Sequence, residues 1–474
     1  MRRSVRYALC LFAGLPALLG AQGFGIYEQG ACSMGRAGTG VAAPCTDGSA
    51  IFFNPAGLAG LKGGRATVGL TLLDVEGGFT DDIFQHTTKL NDPFLAIPQV
   101  YVAYGVTPKL GVGIGLFAPY GLQTRWPLSF DGRFAGYDNI LRSVYLQPTV
   151  AYQVTPWLSL GGGFDVVFGK VELNQRLDLA TAPVPPTLIP ANPPVLFGQF
   201  GIAPGTDFAD AHLEASKTTV TAHWGWIIKV NDKLSIGGRY LMHAKFNYEG
   251  TAQFSQVLTG LRLPADIPVT PTLTLPAGLL IDNFLAAPIT SGGLDLFNTL
   301  LVTQPVSTTI TNPEQVLLGV AYKPRKDWTL FGDYQFTRWG KRFYTLQIDF
   351  ANSLLNRVLY ERYHNTNGFR FAAEWAKDAK WTLRGGYLYH QGAAPAETVT
   401  PLLPEGQRSE FTGGFTVKLR PDLTADVAYQ YIRQNDRRGR TREALFNQAA
   451  TTGLNNGVYD FYAHLFGVSL GYAF

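Results

Sequence analysis

Period-two alternation of side chains constrains this chain more than any other feature. At the C-terminus Phe466, Val468, Leu470, Tyr472 and Phe474 fall on one face, and Leu465, Gly467, Ser469, Gly471 and Ala473 on the other. Positions two apart share a face only in an extended strand. One face is large and apolar and the other mostly small, which suits a strand with lipid outside and a crowded lumen inside. The same texture recurs in Leu423, Ala425, Val427 and Tyr429 against Thr424, Asp426, Ala428 and Gln430. It recurs again in Leu330, Gly332, Tyr334 and Phe336 against Phe331, Asp333, Gln335 and Thr337. No helical period competes with it.

Turn chemistry converts the alternation into a topology. Six short connections resemble one another, at 106–110, 154–158, 230–234, 323–328, 376–381 and 419–423, each carrying Pro, Asp or Asn between apolar runs. Pro presets φ at a turn position, and Asp or Asn tolerates the tight backbone, so each reads as a hairpin turn. Six hairpins supply twelve strands. Arg65 to Val75 before them and Val458 to Phe474 after them bring the expectation to fourteen. The other connections are much longer, near 76–96, 123–142, 174–214, 250–312, 339–363, 392–407 and 435–457. Short turns on one side, long loops on the other and an even strand number are the plan of an outer-membrane barrel. A soluble sandwich has no reason to segregate its loops this way. Trp157, Trp328 and Trp381 stand near the short turns, where an interfacial aromatic girdle belongs.

Composition agrees. Only 16% of the residues are charged, against about 25% in an average soluble domain. The balance of 39 basic and 35 acidic residues lacks the concentrated basic charge of a nucleic-acid binder. Beyond residue 22 no apolar run approaches the roughly 18 residues of a spanning helix, so helical membrane bundles are excluded. Arg2, Arg3 and Arg6 precede an apolar stretch from Tyr7 to Leu19, followed by Gly20 and Ala21. That is the anatomy of a cleaved secretory signal over 1–21, and its loss takes the net charge from +4 to +1. Cys10 falls within it and lacks the small residue before it that a lipid-anchoring cysteine needs. Cys32 and Cys45 remain, either bonded in an oxidising compartment or as two free thiols.

Three regions follow: the signal, an N-terminal segment 22–64 with little alternation, and the barrel 65–474. Fourteen strands enclose a bore too wide for their own side chains to fill. The segment 22–64 is the natural plug, or hatch. The two longest loops carry unusual apolar runs, including Ala182 to Pro190, Pro193 to Phe197, Leu275 to Ala287 and Leu294 to Leu301. Such runs suggest an external hydrophobic groove, with Leu279, Phe284 and Phe297 as candidate ligand contacts. A sugar or ion pore would line its entrance with charge instead.

The chain resembles the FadL/TodX family of outer-membrane transporters for long-chain fatty acids and other hydrophobic compounds. The resemblance runs over nearly the whole mature chain. It rests on Gly35-Arg36-Ala37-Gly38 and on Phe52-Phe53-Asn54-Pro55-Ala56-Gly57-Leu58 in the hatch, and on Phe117-Ala118-Pro119-Tyr120-Gly121-Leu122 in the third strand. Asp131-Gly132-Arg133-Phe134-Ala135-Gly136 and Pro401-Leu402-Leu403-Pro404-Glu405-Gly406-Gln407-Arg408 extend it. His390 departs from the pattern, standing where many relatives carry Asp. The resemblance implies capture in the loop groove, passage to a pocket beside the hatch, and lateral release into lipid through a kinked third strand. Gly115, Pro119 and Gly121 are the candidates for that lateral gate, because proline cannot donate to the ladder and glycine permits bending.

A carboxylate-bearing ligand would need a cationic or donor partner in the lumen. Arg239, Arg370 and Arg384 fall on the lumen-facing phase of their strands, and each has a second possible role as a structural bridge to Asp165, Asp333 or Glu374. Gly467-Val468-Ser469-Leu470-Gly471 imitates a hydrolase elbow but lies within a strand, and Gly113-x-Gly115-x-x-Ala118 opens no helix. The seven His residues lack metal-ligand spacing. The expectation is therefore a monomeric, passive transporter with no cofactor, metal or nucleic-acid partner. It lies in the outer membrane of a Gram-negative-type bacterium and meets bilayer lipid and outer-leaflet lipopolysaccharide. Its cargo is a hydrophobic small molecule, most simply a long-chain fatty acid, with an aromatic or alkane hydrocarbon as the alternative. A membrane-embedded lipid hydrolase, which would need a Ser–His pair near the outer rim, is the competing class.

Overall fold

A computed structural model of the chain describes residues 23–91, 94–186, 188–270, 273–441 and 456–474. The segment 1–21 expected to be a signal, and Gln22, lie outside the described residues. Fourteen antiparallel strands close into one barrel. In chain order they are β1 (Gly64–Asp81), β2 (Leu95–Gly105), β3 (Leu110–Arg125), β4 (Asp138–Gln153), β5 (Leu158–Asp178) and β6 (Asp207–Lys229). Then come β7 (Leu234–Leu241, continued by Ala244–Gln256), β8 (Gln304–Asn312 and Gln315–Arg325), β9 (Trp328–Thr337 and Thr345–Phe350) and β10 (Arg357–Tyr360 and Thr366–Ala376). The circuit ends with β11 (Trp381–His390), β12 (Arg408–Arg420), β13 (Leu423–Gln434 and Arg437–Arg440) and β14 (Asn456–Ala473). Each strand pairs with its chain neighbour, and β14 returns to β1 in one continuous register from Arg65↔Ala473 to Asp81↔Gly457. Closure pairs each strand with a neighbour on both sides along most of its length.

All six hairpin turns lie where the sequence places them. The strands run farther than the turn spacing suggests. β5 has 21 residues and β6 has 23, against roughly 9–11 needed to span. Alternation assigns the faces. Val68, Leu70, Val220, Trp224, Leu330, Phe371, Phe466, Val468 and Leu470 are exposed on the outside. Thr67, Gln147, Asp165, His223, Asp333, Arg370 and Ser469 are buried within. Trp157 is 53% exposed beside its short turn, and Trp328 stacks on Trp375 at the same end.

The hatch fills the lower lumen with two single-turn helices, α1 (Ala31–Met34) and α2 (Ala50–Phe53), and a 3-10 turn over Pro55–Leu58. Cys32 and Cys45 are bonded to each other. Above the barrel the loops at 179–206 and 257–303 form a hydrophobic core of their own. Leu179, Phe197, Phe208, Leu263, Ile281, Phe284, Leu285 and Leu294 are buried in it.

Candidate functional site

The Asn54-Pro55-Ala56 motif anchors the hatch to the wall. Asn54 Nδ2 donates to the carbonyls of Val41 (2.6 Å) and Trp226 in β6 (3.0 Å), while Oδ1 accepts the Ala56 N–H (3.1 Å). One side chain thus ties two hatch segments to a strand and caps the 3-10 turn. Pro55 supplies the preset φ at its first position. The wall accommodates this approach with glycine. A Cβ on Gly225 would sit 2.1 Å from Asn54 Oδ1, and one on Gly161 would sit 2.5 Å from the Pro55 carbonyl carbon. Asp333 of β9 completes the anchorage by accepting the N–H groups of Gly40 (2.9 Å) and Val41 (3.1 Å).

The leading end of the hatch occupies a break in the barrel wall. β2 and β3 pair only from Val100↔Leu116 to Gly105↔Gly111. Above that point Leu95 to Gln99 pair with β1 alone, and Tyr120 to Arg125 pair with β4 alone. The register against β4 shifts between Phe117 and Tyr120, so Pro119 sits in the irregular stretch with Gly115 just below it and Gly121 just above. Residues 24–29 of the hatch bond to backbone groups on the β3 side of this gap. The Gly121 N–H donates to the Phe24 carbonyl (3.0 Å), and the Ile26 N–H donates to the Pro119 carbonyl (2.8 Å). Gln29 closes a reciprocal pair with Ala118, donating to its carbonyl (2.8 Å) and accepting its N–H (3.2 Å). On the β2 side Gln99 donates to the Glu28 carbonyl (3.0 Å) and Tyr101 to the Gln29 carbonyl (2.7 Å). The hatch tip therefore stands in for part of the ladder missing on β3, while two β2 side chains satisfy hatch carbonyls.

Directly beside this tip lies an apolar cavity. Phe24 borders it, with Leu122 and Leu141, Val171 and Leu173, Leu213, Ile310, Phe343, Leu346 and Ile348 from the walls, and Leu402 and Leu403 from a loop. Glu361 is the one charged residue on its lining. A second cavity shares Leu173, Leu213 and Ile348 with the first and adds Gln175, His212, Phe254, Phe350 and Arg357. The inner cavity is hydrocarbon-like and the outer one has a polar rim. His212 is held there by Asn174, with Nδ1 2.7 Å from its Oδ1.

The candidate arginines stand elsewhere, and none of the three lines either cavity. Arg384 bridges Glu374 (2.7 Å) and Asp426 (3.4 Å), one of the pairings expected for it. Arg370 lies over the Tyr27 ring (4.2 Å) and donates to Gln335 (2.5 Å). Arg239, 2% exposed, packs its guanidinium over Phe52 at 4.2 Å, and none of its nitrogens has a hydrogen-bond partner. The loop residues also behave differently from the expectation of an open groove. Phe284 is buried in the loop core, with Leu279 and Phe297 packed against it, and none of them lines a cavity. The two apolar loops cover one another because that removes more hydrocarbon from water than facing outward would.

Inside the wall Asp165 and Thr149 flank His223, with Nδ1 2.6 Å and Nε2 3.0 Å from their oxygens. The order of groups imitates a hydrolytic relay. It is buried below the cavities and joins β4, β5 and β6 as a structural bridge. Cys32, Cys45 and Asp47 form the one cluster of potential metal donors among the described residues, and both of its sulfurs are committed to the disulfide. The cavity residues escaped the sequence reading, although a signal for them exists. The inward face of β5 changes from Asp165 through Val167 and Gly169 to Val171 and Leu173, marking the height at which polar lumen gives way to pocket.

A family model described as outer membrane protein transport protein (OMPP1/FadL/TodX) matches residues 16–474. Outer membrane protein P1 of Haemophilus influenzae is 23% identical, the match covering 96% of this chain and 95% of that protein. The long-chain fatty acid transport protein of Salmonella typhi is 22% identical over 95% of this chain and 94% of its own length. Among solved structures, a Pseudomonas aeruginosa FadL homologue superposes with a TM-score of 0.76 at 17% identity, covering 96% of this chain and 100% of that one. The P. putida toluene transporter TodX gives 0.66 at 18% identity, covering 96% and 99%. The chain belongs to the OMPP1/FadL/TodX family of outer-membrane transport proteins, and it is a barrel of that membrane that transports hydrophobic compounds rather than an enzyme.

Proposed function

We propose that the cargo is an elongated amphiphile of the long-chain fatty acid class, taken up passively with its hydrocarbon chain leading. The observation that carries this reading is the polarity step between the two cavities. The inner cavity has no cation, and Glu361 would repel a carboxylate there, whereas His212 and Arg357 on the outer lining suit an anionic head group. Burying the chain in the inner cavity contributes about 25 cal/mol per Å² of hydrocarbon removed from water. The names of relatives, long-chain fatty acid transport protein among them, support the same class. Displacement of the tip at residues 23–29 would then join the cavity to the break beside Pro119, where Gly115 and Gly121 allow the strand to bend, and release cargo sideways into lipid. The lower lumen, with Arg239, Arg370 and Arg384 among its polar residues, offers hydrocarbon no route straight down. In this reading these arginines do not hold cargo. The protein acts as a monomer among bilayer lipids and outer-leaflet lipopolysaccharide.

A second reading, a neutral aromatic or alkane hydrocarbon, is favoured by the same cation-free inner cavity, and the name toluene transporter belongs to a structural neighbour. The R357M and H212Q variants separate the two. The first reading expects about tenfold weaker palmitate binding to the purified barrel with ethylbenzene binding unchanged. Palmitate affinity indifferent to both substitutions, alongside firm ethylbenzene binding, establishes the second. Deleting Gln22–Ile26 is expected to impair uptake of either probe while the barrel still migrates as a folded, heat-modifiable species. Undiminished uptake removes the tip from the route.

A further inference from the structure

The Pro401 to Arg408 segment has no part in the reading so far beyond lending Leu402 and Leu403 to the cavity. Its two charged residues converge on one residue of the hatch. Glu405, 3% exposed, accepts the Gly23 N–H at 2.6 Å on Oε1. The same carboxylate accepts the N–H of Ala393 (2.9 Å) and, on Oε2, that of Ala394 (3.1 Å). Arg408, three residues on, donates from Nη2 to the Gly23 carbonyl at 3.1 Å. Both polar groups of a single hatch residue are thus gripped by charged side chains of one short segment, Glu405 in the loop and Arg408 at the start of β12, and charge-assisted bonds are the stronger kind. The loop is braced in turn, its Pro401 carbonyl by Trp126 (3.2 Å) and its Pro404 carbonyl by Gln434 (2.9 Å).

The position of Gly23 gives the grip its consequence. Gly23 holds φ +61°, and a Cβ there would sit 2.4 Å from the Trp339 ring. The conformation and the contact both require glycine. The next residue, Phe24, packs edge-on to Trp339 (4.8 Å) and Phe343 (5.7 Å), borders the inner cavity, and accepts the Gly121 N–H at the wall break. Any cargo large enough to press on the Phe24 ring therefore pulls against Gly23.

We propose that Glu405 and Arg408 form a latch on the hatch tip, positioning residues that set how readily Phe24 withdraws from the cavity and the wall break together. This rests on the transport reading, because a latch matters only if the tip moves. E405Q places an amide where three N–H donors converge, and R408M removes the single bond to the Gly23 carbonyl. Gly23→Ala reaches the same point from the hatch side, through strain and contact with Trp339.

Hydrogen exchange on the full-length purified barrel, followed for the amides of Gly23 to Ile26, tests the latch without reference to transport. Each variant is expected to speed exchange at the tip by about tenfold or more, as loss of charge-assisted bonds implies, while barrel-strand amides keep their protection. Saturating palmitate is expected to move the wild type in the same direction. In cells, the maximal uptake rate per folded barrel is expected to rise severalfold in R408M, with little further gain in the double variant because both residues hold one target. Tip exchange within twofold of wild type in R408M and Gly23→Ala overturns the latch. So does faster tip exchange with an unchanged uptake maximum. Should E405Q also loosen the strands, R408M decides. Absence of uptake by the wild type with either probe rejects the transport reading instead, and the exchange measurements still judge the grip on Gly23.

Discussion

Leu213 borders both cavities, and cargo passing from one to the other must cross it. Replacing it with Asn puts an unpaired amide against hydrocarbon, which costs on the order of 1–3 kcal/mol in protein settings. The L213N barrel is accordingly expected to bind palmitate about tenfold more weakly by equilibrium titration, with a lowered unfolding midpoint because Leu213 is buried in the barrel. Arg384 presents the opposite case. It touches no cavity, and removing it strands Glu374 and Asp426 in the lumen, although Arg36 at 3.7 Å still faces Glu374. R384M is expected to lower barrel stability by about 3 kcal/mol, the lower end for breaking a buried pair, as read by denaturant-induced refolding in detergent. Ligand affinity should be unchanged. The two variants together separate what holds cargo from what holds the wall.

At the scale of elements, one carboxylate ties the start of the loop at 257–303 to its later residues. Asp282 accepts the Thr259 N–H (2.9 Å) and hydroxyl (2.7 Å) and the Gly260 N–H (2.8 Å). Burial pushes its carboxyl up, but these donors outweigh burial and hold it below the ordinary carboxylate range. A depressed folded pKa means the stabilisation is complete above the unfolded value near about 4 and is lost as pH falls through the folded one. D282N mimics the acid form at neutral pH, and its loop is expected to become open to trypsin at Arg262 while the wild type resists. The elements also show what sequence could and could not give. Hairpin turns and the inward or outward phase of strands were legible because each depends on a few adjacent residues. The break between β2 and β3 was legible only as a proline between glycines, since its content is the missing pairing of two strands and the hatch residues that replace it. Glu405 stood in a recognised motif, yet its target lies 382 positions away along the chain. No local pattern encodes that partner. The loop runs containing Phe284 and Phe297 looked like an exposed groove because composition cannot say whether two apolar loops face water or each other.

Across the whole molecule, the bilayer acts through the outer belt of β14 and its neighbours. Leu470 is 48% exposed within that belt. L470R is expected to cost about 2–4 kcal/mol if it sits near the midplane, less toward an interface, measured by folding into vesicles. Thr424→Arg and similar inward changes act on the lumen instead and should leave insertion unaffected. The hatch contributes a second property of the whole. Residues 24–29 are at once the stopper of the lumen and a stave of the cylinder, bonded to Pro119 and Gly121 on one side and to Gln99 and Tyr101 on the other. If cargo leaves by that gap, delivering it and parting the staves are a single event, and the parted side faces oil. An envelope carrying many copies then stays electrically tight and closed to water-soluble toxins even while greasy nutrients are streaming through it.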